Sequence, residues 1–497
     1  MGKGYIVTVD QSTSGTKALV VDCSGAVVGR SSAEHRQIYP CAGWAEHDPL
    51  EIYDNVKLTV RRALESAGID DSQIAVLTVT NQRETAVMWD RTTGLPVYPA
   101  IVWQCQRTAD ACAALQEKGY GELVRAKTGL MLDPYFSAAK WTWIIDHVPG
   151  VREKLEAGEL LAGTIDCWLL WKLTGGAVHA TDCTNASRTS LFNIHSLQWD
   201  DELCRLFQVP QQLLPEVKSS DEIFGYTNEP DLFEGRKVPI SGVIGDSQAA
   251  LFGNRCFRTG MAKATFGTGT SVLMNVGNHP VDGGTGLVSA IAWGIGGTTT
   301  YALEAVIRSS GDCLKWVRDN LGLFTTFDQL EEMLEQVKEP DGVYLVPAFV
   351  GLGAPYWDPY ARAAIVGMNR GTSKAHIVRA AVESIAYQVR DAVEFMQTES
   401  GVRLEELCAD GGAATNGILM QFQADMLDCP IVQPVIAELS AMGSVYIGGL
   451  GVGFWTSQDE IAALPRSYRK FEPDMSPELR AMKYAGWRRA VTTILQS

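Results

Sequence analysis

The feature that most constrains the fold is a short hairpin that occurs twice. The residue pattern predicts strands over Tyr5–Asp10 and 17–22, joined by the polar turn QSTSGT. It predicts a second pair over Met261–Thr265 and Ser271–Val276, joined by the turn FGTGT at 266–270. Glycine lets such a turn approach an anion closely, and the hydroxyls add hydrogen-bond donors. The repeat therefore predicts two similar halves, whose turns could hold a triphosphate from both sides of a cleft.

Between these hairpins and after them, helical and strand patterns alternate. Apolar residues at helical spacing predict a helix over Pro49–Ala67, and a β-rich run predicts a strand over Ile74–Thr80. A long helical pattern covers Lys374–Gln397, and a strand near Cys408 leads into a glycine turn at 410–416. Alternation of this kind is typical of an α/β protein.

The length of the chain favours more than one domain. Its 497 residues exceed the usual size of a single hydrophobic core. The segment GNRCFRTG at 253–260 is polar and contains glycine, so we place the boundary there. The predicted domains are residues 1–254 and 255–497.

Charge and cysteine content exclude several classes of protein. The net charge of −16 repels nucleic acid and anionic membranes, so we expect neither as a partner. Eleven cysteines without a Cys-x-x-Cys pair argue against a zinc cluster or a disulfide framework, and favour a reducing compartment. The uncharged run Leu439–Trp455 contains five glycines, which predicts a closely packed buried helix rather than a membrane span. No signal peptide precedes the first strand, and we expect a cytoplasmic protein.

Three turns are candidates for binding a nucleotide. Asp10 ends a strand before the turn at 11–16, where it could orient Mg²⁺ beside phosphate oxygens. The turn at 266–270 is the second candidate, and Asp410–Gly412 with Asn416 could pass beneath an adenine and its ribose. Each pattern has an ordinary alternative, which is a plain hairpin turn in the first two cases and the start of a helix in the third.

A second group of residues suits a hydroxyl-bearing substrate. Asp246 follows a buried strand, where a carboxylate is costly without a partner or a task, and a general base is one such task. Its alternative is the N-cap of the helix that follows. Arg83, Glu84 and Tyr135 offer donors and acceptors for neighbouring hydroxyls, and Trp103 offers an apolar wall. A surface ion pair would equally explain Arg83 with Glu84, and a core position would explain Trp103.

Longer stretches of the sequence resemble the FGGY carbohydrate kinases and, within them, the glycerol kinase branch. The resemblance covers nearly the whole chain. It rests on NQRET at 81–85, IVWQC at 101–105, DPYFS at 133–137, TNASRT at 184–189 and GLGAPYWDP at 351–359. The segments 135–143 and 367–384 are similar to the two signatures of that family.

The resemblance implies two ribonuclease H-like domains of the actin/hexokinase type, with ATP and a polyol in the interdomain cleft. It implies Mg²⁺ as a cofactor, and we expect a homo-oligomer. By position, the polyol would be bound by Arg83, Glu84, Trp103, Tyr135 and Asp246, with Asp246 as the base. The nucleotide would be bound by Thr13, Ser14, Gly15, Lys17, Thr268, Gly311, Gly412 and Asn416, and the magnesium by Asp10.

Three positions depart from the family pattern. Ser247 stands where the glycerol kinase branch has Gln, Ser271 stands where it has Phe opposite Trp103, and Lys315 replaces a Gln near the nucleotide. The two serines would enlarge the polyol pocket, and the lost aromatic wall would remove about 1–3 kcal/mol of apolar contact. The resemblance implies phosphorylation of a terminal hydroxyl of glycerol. The larger pocket makes a tetritol, a pentitol or a pentulose the alternative acceptor.

Two other classes share such a fold. A non-catalytic sensor would be favoured if Asp10 or Asp246 were missing, and both are present. An actin-like polymerising ATPase would leave the set of Arg83, Trp103 and Tyr135 unexplained. The sequence therefore favours a kinase.

Overall fold

The computed structural model describes residues 4–284, 286–339 and 341–495, which form two sheet-containing halves. The first half contains a six-stranded sheet with the spatial order β5-β6-β4-β1-β2-β3. In chain order its strands are β1 Tyr5–Gln11, β2 Gly15–Val21, β3 Val27–Glu34, β4 Ile74–Asn81, β5 Gly225–Tyr226 and β6 Pro239–Gly245.

The second half contains a seven-stranded sheet with the spatial order β9-β10-β8-β7-β11-β12-β13. In chain order its strands are β7 Met261–Phe266, β8 Thr270–Gly277, β9 Val288–Ile295, β10 Thr298–Ile307, β11 Glu406–Asp410, β12 Ile431–Pro434 and β13 Tyr468–Phe471. The predicted duplicated hairpin is β1–β2 in the first sheet and β7–β8 in the second.

The two sheets share one pairing scheme. Each hairpin is antiparallel, and its first strand also pairs in parallel with a later strand, β1 with β4 and β7 with β11. The next strand, β6 or β12, is again parallel. Ligands of open α/β sheets bind beyond the carboxyl ends of such strands. The predicted α/β class is confirmed, and the scheme brings the candidate residues at the ends of β1, β6, β7 and β11 toward one region.

Seven helices are large enough to shape this region or the core. They are α1 Pro49–Ala67, α2 Asp246–Gly253, α3 Gly311–Asp319, α4 Lys374–Ser400, α5 Gly417–Leu427, α6 Leu439–Gly451 and α7 Pro477–Leu495. Further helices are at Ala109–Glu117, Gly121–Thr128, Ser137–His147, Val151–Glu156, Ile165–Leu173, Cys183–Ala186, Asp201–Leu206, Phe327–Gln336 and Gln458–Ala462. Small two-stranded ribbons pair Glu46–His47 with Ala100–Ile101, Val87–Asp90 with Leu160–Gly163, Ala180–Asp182 with Glu216–Lys218, Phe192–Asn193 with Gln198–Trp199, and Tyr344–Val346 with Ala364–Val366.

Helices α2 and α6 pack against each other between the two sheets, and their backbones approach closely at two glycines. A Cβ atom on Gly443 of α6 would lie 1.8 Å from the carbonyl oxygen of Ala249 in α2, and one on Gly253 would lie 2.1 Å from that of Leu439. On its other side α6 packs on the first sheet, where the Ser444 hydroxyl lies 2.8 Å from that of Thr8. The glycines of this run therefore permit close packing, as predicted. No helix of the described residues is long and apolar enough to cross a membrane.

Most predicted elements are confirmed with shifts of a few residues. Helix α1 has the predicted bounds, because Asp48 accepts a hydrogen bond from the Leu50 amide at its start and Gly68 ends it in the left-handed region. Helix α4 continues to Ser400, beyond the predicted end at Gln397, and ends at Gly401 with φ of 68°. All eleven cysteines are free, which agrees with the prediction that they form no disulfide framework.

Candidate active site in the interdomain cleft

A cavity of about 1000 Å³ lies between the two halves. The first half lines it with Trp103, Asp246 and Ser247, and the second half lines it with residues of β7, β8 and β10 and with the turn after β11. The predicted polyol residues Trp103 and Asp246 therefore face the same cleft as the second and third predicted nucleotide turns.

Asp246 is the first residue of α2, directly after the end of β6. Its Oδ1 lies 3.3 Å from Nε of Arg83 and accepts a 2.7 Å hydrogen bond from the Ser247 amide. Gly245, not Asp246, is the N-cap residue, so the N-cap alternative is wrong. The side chain is 36% exposed, which makes it the carboxylate at the boundary between buried protein and cavity.

Behind Asp246 lies a closed group of four buried charges, which we call the charge quartet: Arg83, Glu84, Arg188 and Glu304. Arg188 donates from Nε to Glu84 at 2.5 Å and from Nη1 to Glu304 at 2.7 Å. Arg83 donates to Glu304 at 3.1 Å and lies 3.9 Å from Glu84. All four side chains are at least 94% buried, so the surface ion pair considered for Arg83 and Glu84 is wrong.

The quartet is electrically balanced, which is what permits its burial. Burial would raise the pKa of Glu304, but Arg188 and Arg83 lower it to about 2. Burial keeps the pKa of Glu84 above its usual value despite the same two cations. Glu84 also has a φ of 60°, a conformation that costs energy outside glycine and is common at functional sites.

The remaining predicted polyol residues form the wall next to the quartet. The ring centroids of Trp103 and Tyr135 are 5.4 Å apart, edge to face. The Arg188 guanidinium lies 5.7 Å from the centre of the Tyr135 ring. Ser271 on β8 reaches the same place from the second half, with its hydroxyl 3.4 Å from Glu304. Ser247 and Ser271 both line the cavity with Trp103.

The first predicted phosphate turn connects β1 and β2. Asp10 and Lys17 are partners in the hairpin register, and Lys17 is exposed. Thr13 accepts a 2.9 Å hydrogen bond from the Trp103 indole, which links this turn to the polyol wall. The exposed Ser14 and the partly buried Gly15 complete the turn. Burial, and next the charge of Asp246, raise the pKa of Asp10 to about 7.

The second turn is fixed to the start of α3. The Gly311 amide donates to the carbonyl of Gly267 at 3.1 Å, and the Asp312 amide donates to that of Thr268 at 3.2 Å. A Cβ atom on Gly311 would lie 2.5 Å from the Gly267 oxygen, so only glycine fits this contact. Thr268 is exposed at the turn, and Lys315 is exposed one helical turn after Gly311.

The third turn follows β11 and is closely packed against the second. Gly411 has a φ of 92°, and its Cβ position lies 2.5 Å from the Phe266 carbonyl. Gly412 has open space around its Cα. Asn416 is the N-cap of α5, and its Oδ1 accepts a 2.9 Å hydrogen bond from the Leu419 amide. The helix-start alternative therefore holds, and it is compatible with nucleotide binding.

Three charged residues of the site were not predicted from sequence: Arg188, Glu304 and Lys263. Glu304 stands in the apolar strand TTTYALEAVI, and Lys263 in MAKATF. A charge in an otherwise apolar strand is costly to bury without a partner, and this signal could have identified both. Arg188 lies in the segment TNASRT at 184–189, which carries part of the family resemblance. Nothing in its position along the sequence indicates that its partners are Glu84 and Glu304.

Comparison with known proteins identifies the family. The model of the N-terminal domain of the FGGY family of carbohydrate kinases matches residues 5–253, and that of the C-terminal domain matches residues 262–452. The chain belongs to the FGGY family of carbohydrate kinases. FGGY relatives include glycerol kinase 2 of Thermotoga maritima, 51% identical over 99% of both chains. Glycerol kinase of Xanthomonas campestris is also 51% identical, over 99% of this chain and 98% of its own.

Solved FGGY structures agree with the fold. The structure of Plasmodium falciparum glycerol kinase with ADP superposes with a TM-score of 0.95 at 35% identity, covering 100% of this chain and 99% of that one. Xylulose kinase from Rhodospirillum rubrum gives a TM-score of 0.87 at 22% identity, covering 99% of both chains. The expected actin/hexokinase-type fold with two domains is confirmed.

Proposed function

We propose that the protein transfers the γ-phosphoryl group of ATP to a terminal hydroxyl of glycerol, giving glycerol 3-phosphate and ADP. The observation that carries the proposal is the position of Asp246. Its partly exposed carboxylate lies 3.3 Å from Arg83 of the charge quartet and lines the cleft together with the second and third turns. The 51% identity to glycerol kinases over nearly the whole chain supports glycerol as the acceptor.

In the proposed reaction Asp246 accepts the proton of the acceptor hydroxyl as the new P–O bond forms. A positioned general base contributes about 10²–10⁴-fold to such a step. Arg83, Glu84 and Tyr135 would hold the other hydroxyls, and the Trp103 face would pack on the carbon chain. Phosphoryl transfer requires mainly positioning and charge neutralisation, and a rigid, balanced quartet beneath the acceptor suits the first requirement.

We propose Mg²⁺ as the cofactor, held with the triphosphate by Asp10. The described residues contain no group of three or more His, Cys, Asp or Glu arranged to bind a metal by themselves. That agrees with the way Mg²⁺ usually binds, through one or two carboxylates, water and substrate phosphates. Asp10 fits this role because burial and the negative charge of Asp246 disfavour its ionised form, which a nearby cation would stabilise. When bound, the ion would neutralise phosphate charge.

On the nucleotide side, we propose that Thr13, Ser14, Gly15 and Lys17 contact the phosphates from the first half. Thr268 would contact them from the second half. The nucleoside would lie against Gly311, Lys315, Gly412 and Asn416. This division assigns most of the polyol site and the first phosphate turn to residues 1–254, and the rest of the nucleotide site to residues 255–497. Eleven free cysteines suit a reducing, cytoplasmic compartment, and a homo-oligomer remains a prediction.

The test is an ADP-release assay with purified protein, MgATP and glycerol, with Asp246→Asn as the matched control. We expect turnover that depends on glycerol, and a loss of about 10²–10⁴-fold in kcat for the variant. Its melting temperature should stay close to that of the wild type, because Asp246 is partly exposed. Wild-type protein that releases no ADP with any polyol would refute the proposed function. A variant that retains more than a tenth of the turnover would refute Asp246 as the base.

A second acceptor class is favoured by Ser247 and Ser271. Both are small side chains that line the cavity beside Trp103, and each hydroxyl could bond to an acceptor longer than glycerol. A bound water can satisfy these hydroxyls at a cost of about 0–2 kcal/mol, so glycerol still fits. The panel therefore includes erythritol, threitol, the pentitols and the pentuloses. A preference of tenfold or more for glycerol in kcat/KM would rule out the larger acceptor.

A further inference from the structure

Lys263 is a buried cation on the cleft face of the second sheet. It is 99% buried, and its Nζ donates a single hydrogen bond, 3.0 Å long, to the hydroxyl of Thr265. An ammonium group has three donors. No other hydrogen bond or ion pair joins this group to the residues that the structure describes, so two donors have no protein acceptor.

The strand register places Lys263 among the groups that face the cleft. Side chains of residues two apart on a strand share a face, and so do those of register partners. Thr265 pairs with Ser271 on β8 and with Asp410 on β11, while Lys263 pairs with Leu273, which in turn pairs with Glu304. Lys263, Thr265, Ser271 and Asp410 all line the same cavity as Asp246. The two donors thus lie between the polyol wall and the nucleotide turns.

We propose that the Lys263 ammonium group binds the phosphoryl group in transit, between the triphosphate and the acceptor hydroxyl. This inference rests on the proposed kinase function and adds a catalytic residue to it. In the transfer, the bond from the γ-phosphorus to the bridging oxygen breaks, and ADP leaves with the bonding electrons. A bond to the acceptor oxygen forms, and the acceptor proton passes to Asp246. Lys263 exchanges no proton and supplies positive charge to the phosphoryl oxygens.

The local electrostatics agree with an anion at this place. Burial lowers the pKa of Lys263, and Asp410 is the largest charge that opposes this effect. A buried cation that lacks a close carboxylate is costly, so the site gains when a phosphoryl oxygen binds there. Preorganised charge directed at a transferring phosphoryl group is a common source of rate enhancement, and one such donor is worth about 10²–10³ in kcat.

The test compares binding of AMP-PNP and ADP, with Mg²⁺, to wild-type protein and Lys263→Met by calorimetry. We expect at least about tenfold weaker AMP-PNP binding and less than about twofold change for ADP, because only AMP-PNP carries a γ-phosphoryl group. Equal changes for both nucleotides, or none for either, would overturn the proposal. The readout is binding alone, so it is independent of whether glycerol is the acceptor.

Two further variants separate this role from a structural one. Lys263→Arg keeps the charge and should retain the preference for AMP-PNP. If Lys263→Met does not fold, Lys263→Arg provides the test in its place. A folded Lys263→Arg that no longer prefers AMP-PNP to ADP would count against the proposal. Lys140→Met is the matched control, because Lys140 is also buried but donates to the carbonyls of Tyr135 and Phe136. Its ratio of AMP-PNP to ADP affinity should equal that of the wild type, and a change like that of Lys263→Met would overturn the assignment.

Discussion

Replacing Glu304 by glutamine tests whether the charge quartet holds the two halves of the molecule together. Glu304 is on β10 of the second sheet, whereas Arg83 and Arg188 belong to the first half. The substitution keeps the size of the side chain and removes its charge. Two buried guanidinium groups would then share Glu84 as their remaining fully buried carboxylate.

The expected loss of stability can be worked out in two ways. Removing one member of a buried ion pair costs about 3–5 kcal/mol. Independently, the pKa of Glu304 falls from its ordinary value of 4.5 to about 2 on folding. A tenfold change in an ionisation constant corresponds to about 1.4 kcal/mol, so the ionised carboxylate stabilises the fold by about 3 kcal/mol. The second value falls at the lower end of the first range, so we expect the free energy of unfolding to fall by about 3 kcal/mol.

The pH dependence gives this prediction a distinctive form. Because folding depresses the pKa of Glu304, its contribution is fully present above about pH 4.5 and is lost as the pH falls toward about 2. Urea unfolding of wild type and Glu304→Gln should therefore differ by a constant amount from pH 7 to pH 5, and by less at pH 4. The control is Glu122→Gln, since Glu122 is 75% exposed beside Arg125 and should cost under about 0.5 kcal/mol. A difference below about 1 kcal/mol for Glu304→Gln at pH 7 would refute the reasoning.

Two more predictions concern the ligands. Asp10→Ala should raise the Mg²⁺ concentration needed for half-maximal turnover, because Asp10 is the partly buried carboxylate beside the first predicted phosphate turn. Identical Mg²⁺ titration curves for variant and wild type would show that Asp10 does not bind the ion. The double change Ser247→Gln with Ser271→Phe should lower kcat/KM for four- and five-carbon acceptors relative to glycerol, because both new side chains fill the cavity beside Trp103. If the ratio of these kcat/KM values does not change, the two serines do not set the choice of acceptor.

The elements that sequence predicts best here are those with a local cause. The hairpin turns, helix α1 and the glycine-rich α6 each follow from periodicity, capping residues or glycine spacing within one segment. The position of Asp246 at the end of β6 follows in the same way, because the strand is apolar and the next residue is not. The turns at 11–16 and 266–270 follow in the same way, since glycine and hydroxyl residues cluster within a few positions, and their binding of phosphate stays a prediction.

The charge quartet could not be predicted, because its members meet only through the tertiary fold. Arg188 is 104 positions from Glu84 and 116 from Glu304, so no local spacing relates them. Because their distant partners cannot be seen in the sequence, the adjacent residues Arg83 and Glu84 were also compatible with a surface ion pair. Lys263 could have been singled out as a charge in an apolar strand, but its facing groups depend on the register of three strands.

The crossing of α2 and α6 has a mechanical consequence for the cleft. Backbone packs directly on backbone at Gly443 and Ala249, which brings the two helices closer than side chains at both positions would allow. From Gly443 to Gly451, α6 runs about 12 Å at 1.5 Å per residue. Along that length it packs on the first sheet, where a Cβ atom on Gly448 would lie 2.4 Å from the Thr78 side chain. A side chain at position 443 would meet the Ala249 carbonyl and push α2 and α6 apart, and with α6 the sheet that packs on it.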